Sequence, residues 1–259
     1  MKIFSIICVL FLSGCAALTY NPATGRREFI MISTPEEVSL GQAVHQDIVK
    51  RYKLSSDKEK IDRINRVGQK LVQVSDRQDF QYHFFLIEEN DLNAFTVPGG
   101  NIYFYTGLYD KLRTDDQIAA VLAHEIGHCA ARHTVKKFQA AMGYDLIGRI
   151  VFNEAKLGSQ AQQIAALGTG TVMNLIFSAY GRQDEYEADR LGVKYMYLAK
   201  FDLNGMIETF NVLEKESKGP KIPLILRTHP FVSDRIIAVK KEIQSVTSQF
   251  EDSGTQGGL

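Results

Sequence analysis

The sequence predicts a mostly helical α+β domain with a small antiparallel or mixed β-sheet beside the helix that carries the motif H-E-x-x-H at residues 124–128. Several segments begin with helix-capping sequences and continue with apolar residues at helical spacing, whereas two short aromatic segments alternate as strands do. The chain has 259 residues, of which 45% are hydrophobic, so it can bury one sizeable core.

The first half of the chain contains two predicted helices and two predicted strands. A capping Thr34 followed by proline and glutamate predicts a helix that reaches about Tyr52, and a second capping sequence at Ser56 predicts a helix through Leu71. Strands are expected at residues 80–88 and 101–106, separated by a proline-glycine break.

The second half begins with the helix that carries the motif. Thr114 is expected to cap this helix, which should continue to about Gln139. Residues 157–181 lack any charged side chain and predict a buried or membrane-surface helical pair, although a membrane span is an alternative. Further helices are expected at the following positions: residues 184–200, residues 204–216, and a last helix that is capped by Ser233 and ends near Ser245.

The N-terminus has the features of a secretory signal, because Lys2 precedes a short apolar run that cannot span a membrane. The residues before Cys15 match a bacterial lipoprotein box, which predicts a signal peptide at residues 1–14 and a lipid on Cys15. The alternative is an ordinary cleaved signal with an incidental cysteine. The resemblance implies a bacterial envelope protein, and Ala16 favours the outer membrane.

These features divide the chain into segments. After the signal, a lipidated N-terminus and turn-rich tether are expected at residues 15–30, the folded domain at residues 31–245 and a disordered tail at residues 246–259.

The mature chain keeps only Cys129 besides the lipidated cysteine, so we expect a buried structural thiol and no internal disulfide. Acidic and basic residues are equal in number, 30 each, which gives no support for nucleic acid as a partner.

The motif predicts a metal site. His124 and His128 stand one helical turn apart on one face, where two imidazoles can bind one zinc ion, and Glu125 can reach a water molecule beside it. A third ligand is required. The spacing that would place a later histidine on the metal fails, because Ala131 and Thr134 occupy the positions that need glycine and histidine.

A later acidic segment supplies the remaining candidates. Glu185 and Asp189 are four residues apart and share a helix face, so one carboxylate could bind the metal while the other accepts a hydrogen bond from a ligand histidine. A solvated acidic helix face is the alternative. His133 lies nine residues after His124, about half a turn around a continuous helix, and we expect it to be structural.

Several sequence blocks together resemble the HtpX-type, prenyl-protein-protease-like family of zinc metallopeptidases, and within it the periplasmic branch of BepA- and LoiP-like lipoproteins. The resemblance covers residues 21–243. The blocks, in chain order, are Asn21-Pro22-x-Thr24-Gly25, Asn93-Ala94-Phe95-x-x-Pro98-Gly99-Gly100, Thr106-Gly107-Leu108, the H-E-I-G-H motif, Glu185-x-x-x-Asp189, and Thr228-His229-Pro230 with Arg235 six residues after His229.

This resemblance implies a zincin-like metallopeptidase domain with one Zn²⁺ per chain. It implies His124, His128 and Glu185 as metal ligands and Asp189 as the carboxylate behind a ligand. It further implies that residues 101–106 form an edge strand on which an extended substrate pairs. His229 matches a histidine that either approaches the metal and keeps the enzyme latent or donates a hydrogen bond to the oxyanion, and the sequence leaves both roles open.

The expected function is therefore a zinc endopeptidase of the bacterial cell envelope, at the periplasmic face of the outer membrane, with Glu125 as general base. Its expected substrates are unfolded or misassembled envelope proteins, and the outer-membrane assembly machinery is a possible partner. The alternative is a largely latent envelope chaperone or assembly factor with rare proteolysis. We further hypothesise that residues 157–181 form a lid over the cleft.

Overall fold

The computed structural model describes residues 18–151 and 168–255. The strands are β1 (Leu18–Asn21), β2 (Arg26–Phe29), β3 (His83–Ile87), β4 (Ala94–Val97) and β5 (Asn101–Tyr105). The helices are α1 (Thr34–Arg51), α2 (Lys58–Val72), α3 (Thr106–Tyr109), α4 (Asp115–Ala130), α5 (His133–Val151), α6 (Gly168–Ile176), α7 (Arg182–Leu198), α8 (Asn204–Ser217), α9 (Leu224–Thr228) and α10 (Val232–Thr255). The predicted mostly helical α+β class is confirmed.

The larger sheet is mixed and has the order β3-β5-β4, with β3 parallel and β4 antiparallel to β5. The strand β4 was not predicted, because its four residues are all buried and show no alternation of apolar and polar side chains. The expectation that residues 101–106 form an edge strand is wrong: among the described strands β5 is central in the sheet, and β3 and β4 form its edges. Gly99 and Gly100 adopt positive φ values of 76° and 82° in the tight turn between β4 and β5.

Helix starts differ from the prediction at three places, by one residue in α1 and α2 and by two residues in α10. Ser33, not Thr34, caps α1, since the backbone N–H of Ser33 donates to Glu36 Oε2 over 2.8 Å. Asp57, not Ser56, caps α2, and its carboxylate accepts a hydrogen bond from the backbone N–H of Lys60. Ser233 lies inside α10, which runs past the expected end near residue 245 to Thr255 and so includes most of the predicted disordered tail.

The predicted tether at residues 15–30 contains a β-hairpin instead. Strands β1 and β2 pair in antiparallel fashion around the turn that Gly25 closes with a positive φ of 67°. The hairpin is fastened to the domain, because the Asn21 side-chain amide donates to the carbonyl oxygen of Ala130 at the end of α4. The predicted signal peptide and Cys15 lie outside the described residues.

The uncharged stretch at residues 157–181 is described only from residue 168 onwards. There α6 packs Val172, Met173 and Ile176 into a core cluster with the sheet residues Phe95 and Tyr103. The lid hypothesis concerns residues 157–167 as well, and these lie outside the described residues. Among the helices that the structure describes, none combines the length and apolarity required to cross a membrane.

Two core clusters hold the motif helix in place. The larger cluster surrounds α4 with side chains from α2, α7, α8 and the sheet, and the smaller one lies between α1, the opposite sheet face and α6. Every residue from Gln117 to Ala130 in α4 is buried, so the histidines of the motif are fixed by packing on all sides. Thr114 caps this helix as predicted, with its hydroxyl accepting from the backbone N–H of Gln117.

Candidate metal centre

Helices α4 and α7 cross closely enough to bring the motif and the acidic segment together. The contact point is Gly127, where a Cβ atom would lie only 2.7 Å from the carbonyl oxygen of Ala188. Glycine therefore allows a backbone approach that any larger residue would prevent. As a result, Glu185 on α7 projects onto the face of α4 that carries His124 and His128.

Four side chains converge at this crossing. His124 Nε2 lies 3.0 Å from His128 Nε2, and Glu185 Oε1 lies 3.5 Å from His128 Nε2. His229 Nδ1 lies 3.2 Å from His124 Nε2 and 3.1 Å from Glu185 Oε1. One nitrogen or oxygen atom from each of these four residues lies within 4.8 Å of each of the others, and all four residues are buried.

The spacing of these atoms fits a tetrahedral metal ion. Ligand atoms about 2.0–2.2 Å from a tetrahedral Zn²⁺ stand about 3.4 Å apart. Four of the six separations among these side chains are 3.0–3.5 Å, near that value. Charge favours binding as well. Burial lowers the pKa of His128 well below its ordinary value, which keeps the imidazole in the neutral form that a metal requires.

Asp189, which the family resemblance implies as the carboxylate behind a ligand, lies next to the first histidine. Its Oδ1 is 2.9 Å from His124 Nδ1, and both of its carboxylate oxygens accept hydrogen bonds of 2.7 Å from Arg235. Burial raises the pKa of the Asp189 carboxyl, but the Arg235 guanidinium outweighs it, so the net shift is downwards and the carboxylate stays charged. Arg235 also forms an ion pair with Glu185.

The expectation that His133 lies on the opposite side of a continuous motif helix is wrong. The motif helix does not continue to Gln139 but ends at Ala130, and Arg132 adopts a left-handed φ of 58° before α5 begins. This turn brings His133 Nδ1 to 2.9 Å from His128 Nδ1, and His133 Nε2 to 3.3 Å from Glu187 Oε2. His133 thus lies directly behind the second histidine, where Asp189 lies behind the first.

Tyr180 closes another side of the centre and had no motif that could have identified it. Its ring stacks on His128 with centroids 3.9 Å apart and an interplanar angle of 22°. The Lys137 ammonium also contacts the Tyr180 ring, 3.3 Å from its centroid, and donates a hydrogen bond to the Ser178 carbonyl oxygen. Burial lowers the pKa of Lys137 to about 8.

Glu125 is adjacent to the four-residue cluster and is only 1% exposed. Its Oε1 lies 3.5 Å from His229 Nε2, and its Oε2 has no hydrogen-bond partner among the described residues. A small, mostly apolar cavity lies beside Glu125 and His124, with Val121 and Phe210 in its wall. Cys129 is buried, as expected, with its Sγ 2.8 Å from Thr96 Oγ1, and burial raises the pKa of its thiol to about 12.

A motif helix with two histidines and a glutamate, a buried glutamate from a second helix and an adjoining mixed sheet define a metallopeptidase of the zincin type. Residues 58–243 match the model of the family described as Peptidase family M48. The chain belongs to this family and is a metalloprotease, which confirms the resemblance found in the sequence.

Individual relatives agree with the family. The beta-barrel assembly-enhancing protease of Escherichia coli is 29% identical over 225 residues, which cover 83% of this chain and 45% of the relative. The mitochondrial metalloendopeptidase OMA1 of Schizosaccharomyces pombe is 26% identical over 240 residues, which cover 91% of this chain and 69% of the relative. The chain spans about half the length of the bacterial relatives that it matches.

Proposed function

We propose that the protein is a zinc-dependent endopeptidase of the bacterial cell envelope that acts on unfolded or misassembled outer-membrane proteins. The observation that carries this proposal is the buried cluster of His124, His128, Glu185 and His229 beside Glu125. Two or three imidazoles with one carboxylate, at tetrahedral spacing and without thiolates, form a ligand set that suits zinc in catalytic rather than structural sites.

In this assignment His124, His128 and Glu185 hold the metal. A bound zinc ion supplies a Lewis acid that activates water and polarises the substrate carbonyl. Glu125 accepts the proton of the attacking water and returns it to the leaving amine. Its buried Oε2, which no described residue satisfies, supports this role because the carboxylate oxygen can accept a hydrogen bond from a reactant.

Two buried positioning groups orient the ligand histidines. Asp189 fixes the tautomer of His124 through Nδ1, and Arg235 holds Asp189 with two hydrogen bonds. His133 contacts Nδ1 of His128 in the corresponding position, and Glu187 contacts the far nitrogen of His133. Both ligand histidines are thereby directed to present Nε2 to the metal.

We assign His229 to the resting state as a fourth ligand rather than to the oxyanion. This choice rests on the position of Nδ1, which lies within 3.2 Å of both His124 Nε2 and Glu185 Oε1 and occupies the place that water and substrate need. A tetrahedral catalytic metal keeps one position open. Activation therefore requires the segment that carries His229 to move.

The substrate strand is proposed to pair with β4, since β5 is central in the sheet. The segment that carries His229 borders the start of β4, because the backbone N–H of Ile225 donates to the Leu92 carbonyl oxygen over 3.0 Å. Asn93, which follows Leu92, is fully buried, and its side-chain amide has no hydrogen-bond partner among the described residues. Movement of α9 would therefore expose both the metal position and an edge for β-addition.

The envelope location and the substrate class rest on two sources. One is the lipoprotein box that ends in Cys15, which predicts attachment to the outer membrane. The other is the name of the bacterial relatives, which refers to beta-barrel assembly. From the same name we propose the outer-membrane assembly machinery as a partner.

A second candidate function is a largely latent chaperone or assembly factor, and the enclosure of the centre by His229 favours it. The two functions differ in the fate of an unfolded protein. We propose to incubate residues 16–259 with unfolded casein, with and without a chelator, alongside metal analysis. The peptidase assignment predicts slow cleavage that a chelator abolishes and zinc restores, at one zinc per chain. Cleavage that persists after the metal has been removed would refute it.

A further inference from the structure

The N-terminal hairpin presents an apolar face to the outside of the protein. Its register pairs Leu18 with Phe29 and Tyr20 with Arg27, so these four side chains share one face. Leu18, Tyr20 and Phe29 are 56%, 60% and 51% exposed. In a hairpin that only served the fold, this face would be the one turned towards the core.

The opposite, polar face of the hairpin is the one that contacts the domain. Asn21 donates both to the Ala130 carbonyl oxygen and to Glu28, over 3.1 Å each. Glu28 accepts a hydrogen bond of 2.8 Å from Lys136, and Arg26 forms two bonds of 2.8 Å with Glu187. These contacts fix the orientation of the hairpin, so exposure of the apolar face is built into the fold.

This apolar surface, which we name the hairpin face, consists of Leu18, Tyr20, Arg27, Phe29 and the neighbouring Met31. Met31 is 51% exposed. Of the seven large hydrophobic side chains that are exposed in the described part of the chain, four belong to this face. A concentration of exposed apolar side chains marks an interaction surface.

The chain connection and the residue types identify the partner. Only two residues separate Cys15 from Leu18, and three residue steps span at most about 10 Å. A lipid on Cys15 would therefore hold the hairpin face at the height of the phospholipid headgroups. Tyrosine and arginine suit this layer, since a tyrosine ring is apolar with a polar tip and Arg27 can pair with anionic headgroups.

We propose that the hairpin face docks on the headgroup region of a phospholipid bilayer. The proposal rests on the lipid attachment in the proposed function for its geometry. Because the hairpin is fastened to the end of α4 and to Glu187, docking would give the metal centre a fixed orientation relative to the membrane.

Residues 16–259 without lipid test the hairpin face separately from the anchor, since they retain every described residue. Vesicles of phosphatidylethanolamine and phosphatidylglycerol are titrated in a flotation assay. We expect the protein to float with the vesicles, and the variant Leu18→Ser/Tyr20→Ser/Phe29→Ser to lose on the order of tenfold or more in partitioning. The matched control Ile222→Ser/Ile237→Ser removes two equally exposed side chains elsewhere and should float as the unaltered protein does.

A second measurement does not depend on the triple variant being folded. The chain has no tryptophan, so Tyr20→Trp introduces a single fluorophore whose emission should shift to shorter wavelength on vesicle addition, whereas Ile237→Trp should not shift. Equal flotation of the triple variant, or no shift at Tyr20→Trp, overturns the proposal. The proposal is also overturned if the unaltered protein does not float but forms a dimer, and the triple variant is monomeric. In that case the partner of the hairpin face is a second copy of the chain. Casein cleavage by the triple variant reports on the proposed function independently.

Discussion

His229 Nδ1 lies 3.1 Å from Glu185 Oε1, inside the metal centre and not at its entrance. The local backbone holds it there: the N–H of His229 donates to the Ile225 carbonyl oxygen over 2.7 Å, and Arg235 donates to the carbonyl oxygen of His229. The proposed resting-state latency therefore depends on how α9 is docked, and it predicts what happens when the imidazole is removed.

The substitution His229→Ala should increase casein cleavage several-fold, because it opens the fourth metal position and leaves the other three ligands in place. Zinc content should remain one per chain, measured on the same preparation. If His229 instead donates a hydrogen bond to the oxyanion, the variant should lose about 10²–10³-fold in kcat. A fall in activity with full zinc occupancy would contradict the latency assignment.

His133→Gln should weaken zinc binding by about 10- to 100-fold, since His133 orients the ring of His128 from behind. The measurement is a competition titration with a chromophoric chelator, which needs no substrate. His83→Gln removes an exposed histidine away from the centre and serves as the matched control. Equal zinc affinities in the two variants would show that His133 is only a packing residue.

Arg235→Met should destabilise the metal-free protein by about 3 to 5 kcal/mol, because it leaves the buried carboxylates of Asp189 and Glu185 without their cation. Urea unfolding in the presence of a chelator measures this directly. Arg227→Met, at an exposed position on α9, should change the free energy of unfolding by less than about 0.5 kcal/mol. An equally small change in the free energy of unfolding for Arg235→Met would mean that Arg235 does not stabilise the buried carboxylates of Asp189 and Glu185.

The attachment of the hairpin should depend on pH through Glu28. Burial raises the pKa of this carboxyl, but hydrogen bonds from Lys136, Asn21 and Thr24 outweigh it, and the pKa lies below its ordinary value of 4.5. A group whose pKa is lowered by folding stabilises the fold above that ordinary value and loses this contribution as pH falls through its folded value.

Glu28→Gln should therefore be less stable than the unaltered protein at pH 7, and the difference in the free energy of unfolding should shrink as pH falls below 4.5. Urea unfolding of both proteins across this range provides the comparison. A difference that stays constant with pH would show that the charge of Glu28 does not contribute.

Much of the metal centre could be predicted because its residues are arranged in pairs within single helices. The pair of histidines in the motif and the pair of carboxylates at 185 and 189 each lie one helical turn apart, and helix geometry alone places each pair on one face. Chain order cannot show which helices cross, so the position of Glu185 over the histidines came from the family resemblance. The structure supplies the physical reason, the close approach at Gly127.

The features that escaped prediction depend on tertiary contacts. Arg132 has no intrinsic preference for a left-handed backbone, yet its side chain lies near Thr34 and Asp79, and the resulting turn reorients His133. The strand β4 is short and buried on both faces, so its sequence carries no periodic signal. Tyr180 lies inside the uncharged stretch of residues 157–181 and belongs to no motif, so only its stacking on His128 identifies it.

The central claim is that Glu125 supplies the base in a metal-dependent cleavage. The most direct measurement compares casein cleavage by metal-loaded Glu125→Gln with that of the unaltered protein, and repeats the comparison in the His229→Ala background so that latency cannot hide the result. We predict that both Glu125→Gln proteins bind one zinc, unfold at the unaltered temperature and cleave at least about 10²-fold more slowly than their parents. Undiminished cleavage by a zinc-loaded Glu125→Gln protein would contradict the claim.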